Sequence, residues 1–214
     1  MNTKLLHIDS SILGGNSVSR TLSVGIVNKF KAAHPKVEVI YRDLASSPIP
    51  HLSGAYFAAS RDPKAPDDAA LLRDIELGRA ILEEFLVADV VVIGVAFYNF
   101  SIASQLKAWI DRIAVAGKTF RYTDRGPEGL VTGKRIILAV ARGGYYGPGS
   151  RNAALEHAEA YLRSVFSFVG VSQLEVIAAE GVSAGAEQRQ VAIEQAQQQI
   201  DDLLPTEVEP SRQA

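Results

Sequence analysis

Three short stretches carry the residue types that could do chemistry, and each follows an apolar run. The first is Ser10-Ser11-Ile12-Leu13-Gly14-Gly15-Asn16-Ser17-Val18-Ser19. Hydroxyls and free backbone N–H groups at a helix N-terminus make an anion site. The loop has no GxxxxGK[ST] pattern, which disfavours nucleoside triphosphate hydrolysis, and no GxGxxG, which disfavours a Rossmann-type nicotinamide site. A monophosphate held by hydroxyls without a lysine fits best; the plainer alternative is that Ser10, Ser17 and Ser19 are turn and cap residues. The second stretch is Phe97-Tyr98-Asn99-Phe100, whose aromatics could flank a planar ring while Asn99 offers a donor and an acceptor. Core packing is the competing reading. The third is Arg142-Gly143-Gly144, where paired glycines let backbone N–H donors approach a ligand. For a flavin, such donors would stabilise the charge that builds near N1 and O2 on reduction. A merely flexible loop is the alternative there, given Gly147 and Gly149 nearby.

The elements that must position these stretches alternate strand and helix. The stretch from Asp89 to Gly117 organises the chain: Val90–Val95 reads as a strand buried on both faces, and Ile102, Leu106, Trp109, Ile110 and Ile113 follow at helical spacing. Further strands are expected at Leu5–Ile8, Val37–Tyr41, Arg135–Ala141 and Gln173–Ala179. Helices are expected along Leu22, Ile26, Val27 and Phe30, from a cap at Asp67 or Asp68 to Phe85, over Ala153–Phe168, and from a Ser183 cap to about Leu204. The segment 53–68, with Tyr56, Phe57, Arg61, Pro63 and Pro66, reads as irregular, either a functional flap or a mobile loop, and 118–129 as an aromatic loop. This pattern predicts one α/β domain over residues 1–204: a doubly wound, five-stranded parallel sheet of flavodoxin-like order 2-1-3-4-5, with helices on both faces. Residues 205–214 are expected to form a disordered tail. In that order the first and third strands flank the switch point, where FMN sits in this fold class. All three stretches then share one carboxyl edge, and their coincidence raises a flavin site above the plainer alternatives.

Composition narrows the classes. The formal net charge of -2 over 214 residues leaves no electrostatic footprint for nucleic acid and no basic face for a membrane. Cysteine is absent, which excludes disulfides, thiol redox and Cys-ligated zinc. The start, MNTKLLHIDSS, is not a signal peptide, and no apolar run reaches spanning length, so a cytoplasmic location is the expectation. No His pair has metal-ligand spacing, His7 reads as a satisfied buried group, and no GxSxG follows a strand. A receiver domain would need clustered acids at the strand ends, where only Asp9 is suitably placed. An electron carrier on the same fold would be shorter and strongly acidic.

The chain resembles the FMN-dependent NAD(P)H azoreductases, also described as quinone reductases, of the flavodoxin-like superfamily. The likeness runs from Leu5 to about Leu203 and rests on SSILGGNSVS at 10–19, FYNFSIASQLKAWID at 97–111, GKTFRYTDRGPEGLVTGK at 117–134 and ARGG at 141–144. It implies that Ser11, Ser17, Val18 and Ser19 meet the FMN phosphate, with Ser10 adjacent. It implies that Phe97, Tyr98, Asn99 and Phe100 lie along the isoalloxazine, the Asn99 N–H facing N5, and that Gly143 and Gly144 face the N1/O2 edge. It further implies ping-pong hydride transfer through flavin N5, from NADH or NADPH to a quinone, azo or nitroaromatic acceptor, with no dedicated catalytic side chain. A homodimer is implied, its flavin sites at the interface and Tyr122 in the segment that walls the partner's site. Arg61 is a candidate for a nicotinamide phosphate or an anionic acceptor, against the alternative of a solvated loop arginine. Two departures stand out. Where the family usually has Pro-Met or Pro-Leu before Tyr-Asn-Phe, this chain has Ala96-Phe97, a bulkier ring expected to narrow the acceptor pocket. Where it often has Ser before Arg-Gly-Gly, Ala141 removes one hydroxyl contact.

Overall fold

The computed structural model describes residues 3–62, 64 and 67–205; Pro63, Pro66 and the tail from 206 onwards lie outside the described residues. In chain order the elements are β1 Lys4–Asp9, α1 Val18–Ala33, β2 Glu38–Asp43, α2 Gly54–Ala59, α3 Ala69–Val87, β3 Val90–Tyr98, β4 Ser101–Ile102, α4 Ser104–Ile113, β5 Phe120–Thr123, β6 Gly126–Gly129, β7 Arg135–Arg142, α5 Ala158–Phe168, β8 Gln173–Glu180 and α6 Ala186–Asp202. Five strands run parallel in the order β2-β1-β3-β7-β8, which is 2-1-3-4-5 counted over the parallel strands alone.

The period-2 alternation of the strands sorts their side chains between two helix layers. Val91, Ile93 and Val95 of β3, with Ile136, Leu138 and Val140 of β7, face Ile81 and Phe85 of α3, Leu106 and Trp109 of α4, and Leu162 and Phe166 of α5. Val90 and Val92, with Ile137 and Ala139, face Leu22, Ile26 and Phe30 of α1 and Ala192, Ala196 and Ile200 of α6. The middles of β3 and β7, Val90–Val95 and Ile136–Val140, are apolar because both of their faces are covered. Because the five strands are parallel, their β→α turns all open at the carboxyl edge, among them those after β1, β3 and β7.

Several boundaries differ from expectation. β3 does not break at Ala96 but continues to Tyr98 and folds back on β4, with Phe97 opposite Ile102 and Tyr98 opposite Ser101. Ile102 therefore belongs to a hairpin rather than to α4, and its helical spacing from Leu106 is coincidental. The flap contains a short helix, α2, whose start is capped by the Ser53 hydroxyl accepting from the Tyr56 N–H. The 118–129 loop is an antiparallel hairpin, β5–β6, with Arg121 and Glu128 paired across it. Residues 153–155 form a separate 3-10 turn before α5. Ser183 does not cap α6; Gly185 occupies that position, with φ 131°.

Candidate active site

The loop after β1 makes a single 3-10 turn at Gly14–Asn16 and enters α1 at Ser17, whose hydroxyl accepts the Arg20 N–H. Ser17 Oγ and Ser19 Oγ lie 3.1 Å apart, both buried. A first helical turn leaves its N–H groups without intrahelical acceptors, and Arg20 N–H is already taken, so those of Val18 and Ser19 are left to serve a ligand. The Val18 side chain packs into the core, so only its backbone belongs to the site. Ser10 is used structurally: its hydroxyl donates to the Gly94 carbonyl at 2.7 Å.

A buried polar cluster supports this loop. Asp9 accepts the Ser23 hydroxyl at 2.8 Å on one oxygen and the Tyr41 hydroxyl at 3.0 Å on the other. His7 Nε2 lies 3.0 Å from Ser23 Oγ, so His7 is the satisfied buried group expected of it. Burial and then the charge of Asp9 push the Tyr41 hydroxyl up to about 12, so it stays protonated as a donor. Arg20 grips Asp43 with two nitrogens, at 2.8 and 2.7 Å, and this pairing holds the Asp43 carboxyl down at about 2. The same guanidinium donates to the Ser11 carbonyl at 2.7 Å. A trans peptide points its C=O and N–H in opposite directions. Pulling the Ser11 carbonyl back therefore turns the Ile12 N–H forward, where it meets the Tyr98 hydroxyl at 3.3 Å. Ser11 Oγ lies 3.2 Å from the same hydroxyl, so the first and second loops are joined at Tyr98.

The tip of the β3–β4 hairpin is Asn99-Phe100, with φ 48° and 70°. Two successive positive φ values across a two-residue connection are the type I′ pattern, which suits Asn but normally takes Gly at the second position. The Phe100 carbonyl accepts the His157 N–H ahead of α5 at 3.0 Å, and its ring stands 6.2 Å from Tyr146. Phe97 leans on the same Tyr146 at 4.7 Å between centroids, which joins the second loop to the third. The Phe97 ring packs on Tyr146 and is not among the residues that line the cleft at this edge.

The third loop repeats the arrangement of the first. The carbonyls of Arg142, Gly143 and Gly144 accept from the N–H groups of Val182, Ser183 and Gly181, at 3.1, 3.0 and 2.9 Å. By the same trans geometry, the N–H groups of Gly143 and Gly144 face away from the 181–183 loop. A Cβ on Gly143 would come 3.0 Å from Ser183 Oγ, and one on Gly144 3.2 Å from the Tyr146 ring, so any other residue would make these neighbours give by a few tenths of an ångström. The Arg142 side chain turns inward, 3% exposed, to Glu180 and Glu159 at 2.8 Å each and to Glu156 at 3.4 Å. Burial lowers its pKa, but its carboxylate partners outweigh that and raise it overall. Arg142 is thus a brace for the loop, and Ala141 lies in β7 beside Ala96 and Ala179.

A cleft of about 420 Å³ opens at this edge, lined by Ile12, Tyr98, Asn99, Ser101, Ile102, Ala103, Ser104 and Gln105. Tyr98 and Asn99 were expected there. Ile12 and Gln105 were not, because neither residue type marks a site. Tyr122 stands on the β5–β6 hairpin, 75% exposed and edge-on to Phe120, and does not line the cleft. Arg61 follows α2 with its guanidinium 3.7 Å over the Phe57 ring, and it too is outside the cleft lining. Among the described residues no group of three or more His, Cys, Asp or Glu could hold a metal ion, and no helix is long and apolar enough to cross a membrane.

A doubly wound sheet with donor-rich loops at its switch point defines a class, and the chain belongs to it: the family model described as Flavodoxin-like fold matches residues 3–204. Within that class it is closely related to enzymes of one kind. It is 59% identical over 190 residues to an FMN-dependent NADH:quinone oxidoreductase of Methylorubrum extorquens, covering 89% of this chain and 93% of the relative. It is 59% identical over 201 residues to the protein of that name in Xanthomonas campestris pv. campestris, covering 94% and 98%. Among solved structures, an azoreductase from Bacillus anthracis strain Sterne superposes with a TM-score of 0.82 at 29% identity, covering 94% of this chain and all of that one.

Proposed function

We propose that this chain is an FMN-dependent NAD(P)H oxidoreductase that reduces quinones and azo compounds. The observation that carries the reading is the convergence of three loops on one sheet edge, joined through Tyr98 and Tyr146, in a chain 59% identical to NADH:quinone oxidoreductases. The residues fit the cofactor part by part. The hydroxyls of Ser11, Ser17 and Ser19, with the N–H groups of Val18 and Ser19, suit a phosphate monoester. Phe97, Tyr98, Asn99 and Phe100 run beside the isoalloxazine, and the Asn99 N–H faces its N5 edge. The N–H groups of Gly143 and Gly144 serve the N1/O2 edge, turned forward by the bonds that the Arg142 and Gly143 carbonyls accept from Val182 and Ser183, with Ala141 just before them in β7. When bound, FMN supplies the redox chemistry, taking reducing equivalents from NADH or NADPH and passing them to a quinone, azo compound or nitroaromatic. The chain's own part is to bind, to orient and to hold donors in place.

The reading treats residues 1–204 as one FMN-binding domain of a cytoplasmic homodimer, in which Tyr122 of a second copy walls each site. The exposure of the Tyr122 ring on a projecting hairpin supports that role. Arg61, exposed on the flap, is the candidate for an anionic group of the nicotinamide donor or of the acceptor.

An absorbance spectrum of the purified protein under anaerobic NADH tests the proposal. The expected result is a flavin spectrum that bleaches with NADH or NADPH and recovers with benzoquinone. A flavin that stays oxidised with both nicotinamides would indicate an electron carrier. Failure to bind FMN even on incubation would overturn the reading.

A further inference from the structure

The first loop is gripped at both ends by guanidinium groups that read carbonyl oxygens. Arg20 holds Ser11, and Arg189 of α6 donates to the Asn16 carbonyl at 2.7 Å, immediately before the Ser17 cap. The two arginines differ in charge balance. Arg20 is matched by Asp43 at 2.7 Å and stands 3.7 Å from Asp9. Among the described residues Arg189 has no carboxylate within ion-pair distance, and its guanidinium bonds to the loop itself. It is placed by packing: Ala192, Ala196 and Ile200 bury the same helix against α1, which brings its first turn alongside the loop.

We infer that Arg189 is a positioning residue for the cofactor's phosphate: it holds the Asn16 end of the loop and supplies an unneutralised positive charge beside the Ser17–Ser19 hydroxyls. The inference rests on the flavin reading above. A doubly charged phosphate monoester next to an unmatched guanidinium is favoured over a neutral hydroxyl in the same place. The protein should therefore discriminate FMN from riboflavin partly through a residue 170 positions away in sequence from the nearest cradle residue, Ser19.

Titration of the flavin-free full chain with FMN and, separately, with riboflavin tests this by fluorescence. Arg189→Gln removes the charge and shortens the arm by two bonds, whereas Arg189→Lys keeps the charge. The expected result is that Arg189→Gln weakens FMN by roughly tenfold, the scale of one charge-assisted contact. Riboflavin should bind the variant and the wild type alike, and Arg189→Lys should retain most of the preference for FMN. Raising the salt should shrink the FMN difference between wild type and Arg189→Gln. Equal weakening of both flavins, or of neither, in a wild type that binds FMN would overturn the role of Arg189 alone. A wild type that binds neither flavin would overturn the flavin reading, and this inference with it.

Discussion

Phe100 occupies a left-handed position that L side chains avoid, at a cost on the order of 1–3 kcal/mol. A ring held there against its backbone preference is held for its contacts, beside Tyr146 and at the mouth of the third loop. Phe100→Gly should leave the flavin-free protein melting no lower than wild type, since about 1 kcal/mol of released strain offsets the lost ring contact. FMN affinity should fall several-fold in the same variant; unchanged affinity in a titration would show that the strain serves packing alone. Lys134 is a second residue under tension, at the opposite end of the sheet. It is 6% exposed and donates to the carbonyls of Leu86 and Ala88 at the end of α3. Burial draws its ammonium down to about 8, against a smaller upward pull from Asp89. The unfolded chain then binds more protons than the folded one between about pH 8 and 10.5, so this group makes stability rise with pH across that window. Chemical denaturation should show wild type gaining about 1–3 kcal/mol there relative to Lys134→Met.

At the scale of elements, the site depends on how closely α1 lies on β3. A Cβ on Gly94 would fall inside contact distance of Asp9 Oδ1 and near the Ser19 carbonyl and Ser23 hydroxyl. Asp9 cannot simply swing aside, because both of its oxygens are bonded. Gly94→Ala should cost about 1–3 kcal/mol in denaturant unfolding and push the Ser17–Ser19 cradle out of place, so that FMN binding falls with stability. How much of this was legible in the sequence follows from what each element is made of. The long apolar strands and amphipathic helices announced themselves, because burial on one or two faces imposes a period. α2 was hidden by the prolines around it, although Ser53 before Gly-Ala-Tyr-Phe-Ala-Ala was a readable cap. β6 is Gly-Pro-Glu-Gly, which no strand propensity favours; its pairing with β5 comes from the hairpin geometry and the Arg121–Glu128 pair. The hydroxyls, aromatics and glycines of the site could be read directly as residue types. Arg20, Arg189 and Tyr146 could not, because they act on carbonyls or rings brought near only by the fold. Arg142 was singled out with its two glycines, yet its side chain faces inward to carboxylates that lie far off in sequence.

Across the whole molecule, the carboxyl edge collects the loops while the β5–β6 hairpin projects its Tyr122 ring into solvent. Phe120 of the same hairpin packs on Phe168 at 4.6 Å, so the projection is anchored rather than free. An anchored arm with an exposed aromatic tip is suited to meet a second copy. On the proposed homodimer reading, Tyr122→Asp should shift the protein toward monomer in sedimentation velocity without changing its far-UV circular dichroism, and a wild type that sediments as a monomer would overturn that reading. A dimer unaffected by the substitution would place the interface elsewhere.

The hydrogen bond from Arg189 to the Asn16 carbonyl joins a loop to a helix made much later in synthesis. On the ribosome, the strands from β1 to β7 can pair before that helix emerges from the exit tunnel. On the inference above, affinity for FMN rises once α6 has docked against α1 and Arg189 has met Asn16. A chain that stops before residue 186 would lack Arg189 and should hold FMN more weakly than the full chain.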